Sequence, residues 1–310
     1  MQRGLPKFTL IAGVLRIKVK QAALMGGYNM EWHQQIIETT NGKFEIFTAG
    51  HGNPICVTHL YSEFNANGNR FANMFVPHGK VFLVNLRGCG NSTDDTSVFN
   101  YSMKDSVADL EAIRSALGIE KWFFAGHSTG GMLALAYAIE APTSLQAIIA
   151  GGFCAYSDYM RHPGSIYCKD NPNNKRILQI LKMLADPNSP IEERREGSKE
   201  WSLMSLYKRE SYENTINRPN SGKTVSKRLD YFSYEELPNF DLRPQLQHTT
   251  IKAYLYGGTY DAQCPYEYVV EAAQLMPNAS LKTFEKSNHF PFMEEEQEFE
   301  QYVTEIFKEK

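Results

Sequence analysis

Cysteine is scarce and poorly arranged in this chain. Its 310 residues include five, Cys56, Cys89, Cys154, Cys168 and Cys264, and no two stand in a C-x-x-C pair. An odd, scattered set argues against a disulfide framework or a zinc ribbon and fits a reducing, cytoplasmic compartment. Cys56 lies in an apolar run, as a small core residue would. No stretch reaches the roughly 18 apolar residues that a membrane span needs. Neither sign of charge dominates: the formal net charge is −3, so neither nucleic acid nor an anionic membrane is an expected partner. Internal repeats and low-complexity tracts are also missing. What remains is an ordinary globular balance, 42% hydrophobic and 22% charged, enough for one large α/β domain with an insertion.

Phe8 to Val14 is apolar and follows Arg3 and Lys7, which faintly resembles a signal peptide. Arg16, Lys18 and Lys20 follow at once, and no small-residue cleavage site is clear. Residues 1–30 are therefore expected to form a peripheral arm or a short amphipathic helix, with the functional domain starting near Met30.

Gln35–Thr40 and Lys43–Ala49 are β-type runs around Asn41-Gly42, a strong hairpin signal because both turn positions favour positive φ. Pro54–Leu60 and Val81–Leu86 are apolar on both faces, as in a parallel sheet covered on two sides. Met103–Leu117 has helical spacing, with Gly118 as its stop. The strand Trp122–Ala125, the helix Gly131–Ile139 and the strand Gln146–Ala150 follow. Residues 154–236 are polar, with helical stretches Lys175–Leu184 and Glu192–Tyr207 and no strand alternation. Alternation then resumes with Ile251–Tyr256, Tyr266–Met276, Ser280–Phe284 and Glu294–Lys308. The expected architecture is a doubly wound, mostly parallel sheet: a core of residues 31–153 and 237–310, and a helical cap, or lid, of residues 154–236. Ligands on such sheets bind beyond the carboxyl ends of the strands.

The chemistry should lie there too. Gly126-His127-Ser128-Thr129-Gly130 matches G-x-S-x-G between a strand and a helix. An abrupt strand-to-helix turn strains the central Ser and needs small neighbours two residues either side, here both Gly. Ser128 is then a nucleophile exposed above the sheet, at a helix N-terminus whose N–H groups suit an oxyanion. A Ser nucleophile needs a base and an acid, in chain order Ser, acid, His on this architecture. His289, after Ser280–Phe284, is the expected base. Asp261, after Ile251–Tyr256, is the expected acid, with Asp158 as its rival. The oxyanion donors are the backbone N–H groups of Thr129 and Tyr61, the latter in the loop after an earlier strand. Arg87 reads as a brace hydrogen-bonded to nearby carbonyls rather than an anion site. Glu294-Glu295-Glu296 reads as the first turn of a helix rather than a metal site.

From about residue 35 to 307 the chain resembles the α/β-hydrolase superfamily, in the branch of proline iminopeptidases and carboxylesterases. The resemblance rests on Leu86-Arg87-Gly88-Cys89-Gly90-Asn91-Ser92, on Gly130-Gly131-Met132-Leu133-Ala134-Leu135-Ala136-Tyr137 and on His289-Phe290-Pro291. It implies the α/β-hydrolase fold and the catalytic set Ser128, Asp261 and His289. Ser at the elbow argues against epoxide hydrolases and haloalkane dehalogenases, which place Asp there. The chain departs from the branch in two places. His59-Leu60-Tyr61-Ser62-Glu63 stands where His-Gly-x-Pro-Gly is usual, and Gly126-His127-Ser128-Thr129-Gly130 where iminopeptidases have Gly-Gly-Ser-Trp-Gly.

The expected function is a serine hydrolase acting on a small ester or amide, with no cofactor and no metal. An iminopeptidase-like aminopeptidase is one alternative, and it needs cap carboxylates such as Glu210, Glu213, Glu235 or Glu236 to hold a substrate ammonium. A slow-turnover ligand sensor on the same fold is the other. Trp201, Tyr207 and Tyr231 are candidates for the substrate-pocket wall.

Overall fold

The computed structural model describes residues 30–186 and 188–308. The expected N-terminal arm, with its Phe8–Val14 stretch, lies outside the described residues apart from Met30. The strands are β1 (His33–Thr39), β2 (Gly42–Ala49), β3 (Pro54–Val57), β4 (Ser62–Glu63), β5 (Lys80–Val84), β6 (Trp122–His127), β7 (Leu145–Gly151), β8 (Lys223–Thr224), β9 (Ala253–Gly258) and β10 (Ala279–Phe284). Helices α1 (Arg70–Asn73), α2 (Met103–Ala116) and α3 (Thr129–Glu140) alternate with the early strands. Between β7 and β9 come α4 (Asn174–Ala185), α5 (Ile191–Met204), α6 (Arg209–Thr215), α7 (Ser226–Tyr231) and α8 (Arg243–Leu246). Helices α9 (Tyr266–Leu275), α10 (Pro291–Glu294) and α11 (Glu296–Lys308) complete the chain.

Eight strands form one sheet in the order β1-β2-β5-β3-β6-β7-β9-β10. Strand β2 joins β5 antiparallel, and every later neighbour pairs parallel. This is the doubly wound, mostly parallel sheet that the alternating pattern predicts. Every residue of β6 is buried, and α3 is buried continuously from Thr129 to Ala138, so sheet and helix are apolar on all sides. The Trp122 indole N–H is satisfied inside this core by Tyr137 Oη at 3.0 Å.

Several local expectations shift. The first hairpin turns on Thr40 and Asn41 rather than on Asn41-Gly42; of these residues only Gly42 takes positive φ, 124°. The Thr39 hydroxyl accepts the Asn41 N–H at 3.0 Å and donates to Gly42 O at 2.8 Å, a side-chain turn that overrides the Asn-Gly preference. Strand β3 stops at Val57 rather than Leu60, because the backbone leaves the sheet at Thr58, whose hydroxyl donates to Val84 O at 2.8 Å. The last helical run is broken at Glu295 into α10 and α11. Residues 154–236 are mainly helical, but they also hold β8, which pairs antiparallel with β4 in the loop after β3. Two residues are too short for any alternation to be visible in sequence.

Arg87 braces the hairpin to α2. Its guanidinium donates to both Asp109 carboxylate oxygens at 2.9 and 2.7 Å, to Asp95 O at 2.6 Å and to Asn41 O at 2.9 Å. The side chains of Arg87 and Asp109 are 3% and 0% exposed. Removing one partner of such a pair strands a buried charge. Arg87→Met should therefore lower unfolding free energy by about 3–5 kcal/mol in urea titrations, and adding Asp109→Asn should recover part of the loss. A loss below about 1 kcal/mol would show the pair to be dispensable.

Candidate active site

The parallel strands deliver the expected site residues to one edge. Chain segments leaving the carboxyl ends of β3, β6, β9 and β10 carry His59 to Tyr61, Ser128, Asp261 and His289. Ser128 has φ 57° and ψ −125° and is the only non-glycine residue at positive φ among the described residues. Such a conformation costs about 1–3 kcal/mol and persists only where its surroundings impose it. Here Ser128 N–H donates to Gly151 O at 2.9 Å, while Ser128 O accepts the N–H groups of Gly131 at 2.8 Å and Met132 at 3.1 Å. A Cβ on Gly126 would come within 2.0 Å of Gly130 O, and one on Gly130 within 2.5 Å of Thr58 O. Only glycines allow so tight a turn. Ser128 is half-buried between buried His127 and Thr129.

Asp261 and His289 are brought together directly. His289 Nδ1 lies 3.0 and 2.9 Å from the two Asp261 carboxylate oxygens, and the side chains are 1% and 2% exposed for His289 and Asp261. Asp261 Oδ1 also accepts the N–H groups of Gln263 at 2.9 Å and Cys264 at 2.8 Å, which fixes the carboxylate plane. The two loops are stitched to each other: Tyr260 N–H donates to Ser287 O at 3.0 Å and Ala262 N–H to Asn288 Oδ1 at 2.8 Å. Residues 204–208 hold the same loops from the other side. His289 N–H donates to Ser205 O at 3.1 Å, Gln263 Nε2 donates to Ser205 Oγ at 2.8 Å, and Glu294 Oε1 accepts the Tyr207 and Lys208 N–H groups.

Thr129 and Tyr61, the expected oxyanion donors, meet around one imidazole. His59 Nε2 is 3.1 Å from Thr129 Oγ1, its Nδ1 is 2.9 Å from Ser62 Oγ, and the Tyr61 N–H makes a long 3.5 Å bond to Nδ1. Desolvation, with the charges of His289 and Arg228, lowers the His59 pKa from 6.5 to about 3.

Other candidates go elsewhere. Asp158 is paired with Arg161 at 3.1 Å in an exposed turn, apart from His289. Glu210 and Glu235 are exposed, Glu213 faces Arg209 at 4.0 Å, and Glu236 Oε1 accepts the Met103 N–H at 2.9 Å, capping α2. Of the Glu294–Glu296 run, Glu294 and Glu295 accept backbone N–H groups and Glu296 pairs with Arg218. Trp201 packs beside Ile166, Ile177 and Ile180, Tyr231 lies edge-on to Tyr101, and Tyr207 stacks on exposed Tyr260. These three aromatic residues do not form one wall.

His127 was not expected at the site, since it occupies a free position of G-x-S-x-G. Its ring centroid lies 4.7 Å from that of His289, its Nδ1 is 3.0 Å from Tyr256 Oη, and its Nε2 is buried. Burial, reinforced by the neighbouring imidazoles, holds it well below the usual histidine range.

A family model described as alpha/beta hydrolase fold matches residues 51–296. The structure of an alpha/beta fold family hydrolase from Bacillus anthracis str. Sterne is 51% identical, covers 89% of this chain and 99% of that one, and superposes with a TM-score of 0.87. The proline iminopeptidase of Xylella fastidiosa (strain 9a5c) is 24% identical over 265 residues, 78% of this chain and 85% of that protein. The proline iminopeptidase of Heyndrickxia coagulans is 24% identical over 284 residues, 85% of this chain and 94% of that protein.

The depressed His59 pKa carries a pH signature. With 6.5 in the unfolded chain and about 3 in the folded one, the unfolded chain binds the proton first. The stability that neutral His59 contributes is complete above pH 6.5 and is lost as pH falls towards 3. Urea midpoints measured from about pH 8 down to about pH 4 should fall less steeply in His59→Gln than in the wild type. Equal slopes would show that His59 is not desolvated.

Proposed function

Since the chain belongs to the alpha/beta hydrolase fold family, we propose that it is a serine hydrolase that cleaves a small ester or amide through an acyl-enzyme on Ser128. The observation that carries this reading is the contact of His289 Nδ1 with both oxygens of a nearly dry Asp261, together with the φ of 57° at Ser128. In this reading Asp261 fixes the imidazole tautomer with the Nδ1 proton facing the carboxylate, leaving Nε2 as the base. His289 takes the Ser128 proton as Oγ attacks the carbonyl, and the N–H groups of Thr129 and Tyr61 receive the oxyanion. The imidazolium then protonates the leaving alcohol or amine, and water, activated by the same imidazole, releases the acid. Neutral His127 and His59 suit this cycle, because only one of three adjacent imidazoles then becomes charged.

We read residues 154–236 as the cap over this edge, supported by the bonds that Ser205, Tyr207 and Lys208 make to the Asp261 and His289 loops. All five cysteines are buried and unpaired, which supports a reducing, cytoplasmic compartment. The named relatives favour a second reading, a proline iminopeptidase-like aminopeptidase. That activity needs a carboxylate for the substrate ammonium; of the four, Glu210, Glu213 and Glu235 are exposed and Glu236 is held through its Oε1 at the N-terminus of α2. The ester reading is therefore preferred.

Ser128→Ala should abolish p-nitrophenyl ester turnover and fluorophosphonate labelling while the fold survives, and Asp261→Asn should lower kcat by about 10⁴-fold, as in the serine protease precedent. Labelling of the alanine variant at the wild-type rate would sink the nucleophile assignment. Prolyl naphthylamide cleaved faster than any ester would identify the peptidase, and a burst without steady turnover would identify the sensor.

A further inference from the structure

Arg228, on α7, is 1% exposed. Its Nε donates to Leu60 O, its Nη1 to Arg87 O at 2.8 Å, and its Nη2 to Ser106 Oγ at 2.9 Å and Tyr101 O at 3.4 Å. The Tyr101 ring centroid lies 5.3 Å from its Cζ. Among the described residues these hydrogen-bond partners are carbonyls and a hydroxyl, with no carboxylate. Burying a charge on such terms is costly before the dipoles compensate it. The arrangement therefore calls for a reason, and the position of Leu60 O supplies one. In a trans peptide the C=O of Leu60 and the N–H of Tyr61 point in opposite directions. A guanidinium anchored on the oxygen sets the direction of the N–H and polarises the amide towards donation.

The same stretch of chain grips the next peptide. Val225 N–H donates to Tyr61 O at 2.8 Å, and Lys223–Thr224 pairs with Ser62–Glu63. The loop His59-Leu60-Tyr61-Ser62-Glu63 has no glycine or proline of its own to define its path. Residues 223–228 supply that definition from outside. Among the described residues the Tyr61 N–H meanwhile makes one bond, at 3.5 Å to His59 Nδ1, which an oxyanion can displace.

We propose that Arg228, from the inserted helical segment, is a positioning residue that aims the Leu60–Tyr61 peptide as an oxyanion donor for the Ser128 reaction; the proposal rests on the serine-hydrolase reading. The test compares wild type, Arg228→Met and Arg228→Lys in p-nitrophenyl acetate hydrolysis. It also measures inhibition by an aryl trifluoromethyl ketone, to whose carbonyl Ser128 Oγ adds as its proton passes to His289. Folding is followed by circular dichroism. For Arg228→Met the expected result is a kcat about 10²-fold lower with KM changed less than about threefold, and ketone affinity weakened in parallel with kcat. Arg228→Lys, which keeps the charge but loses the fork, should fall between. A folded Arg228→Met with kcat within about threefold of wild type would overturn the proposal, as would a loss confined to KM with ketone affinity unchanged. Failure of both variants to fold would overturn it too, because Arg228 would then be a structural strut. A wild type that neither labels with fluorophosphonate nor turns over ester would defeat the serine-hydrolase reading itself. An active, labelled wild type alongside an unimpaired variant would defeat the positioning role alone.

Discussion

The chain leaving β3 and helix α3 approach so closely that a single methyl group on Gly130 would sit 2.5 Å from Thr58 O. The rest of the edge depends on that approach. It lets β6 turn into α3 within one residue, which puts Ser128 at positive φ and brings Thr129 Oγ1 to 3.1 Å from His59 Nε2 in the loop after β3. Gly151 O, at the end of β7, receives Ser128 N–H, so the strained residue is tied to a strand beside β6. Close-packed backbone of this kind transmits strain rather than absorbing it. A larger side chain at Gly126 or Gly130 would move the whole turn rather than one atom.

Buried charge is handled in two different ways at two arginines that touch, Arg228 donating to Arg87 O. Arg87 meets a full carboxylate in Asp109 and serves the scaffold, tying the hairpin turn and the loop after β5 to α2. Arg228 meets carbonyl dipoles gathered from segments distant in sequence, one of them Arg87 O. The first arrangement is electrostatically closed. The second brings the guanidinium close enough that its charge and that of His289 help to hold His59 neutral. Desolvation is the largest cause for both His59 and His127. Three imidazoles can share this small volume because two of them resist protonation.

Hydrophobic periodicity, the glycine spacing around Ser128 and the strand–helix alternation were readable in the sequence, because each is a local consequence of sterics or burial. They determined the sheet, the elbow conformation and the placement of Asp261 and His289 after successive strands. Local reading failed where two short-range signals competed, as at Thr39 against Asn41-Gly42, and where an element was too short to have a period, as at Lys223–Thr224. Only the tertiary structure decided the partners across long sequence separations: Arg228 with Leu60, Ser205 with Gln263 and His289, and His127 with Tyr256. No spacing rule encodes these, because such contacts depend on where the inserted segment lands once the sheet has formed. A buried arginine and an exposed one look alike in the sequence until the chain is folded around them.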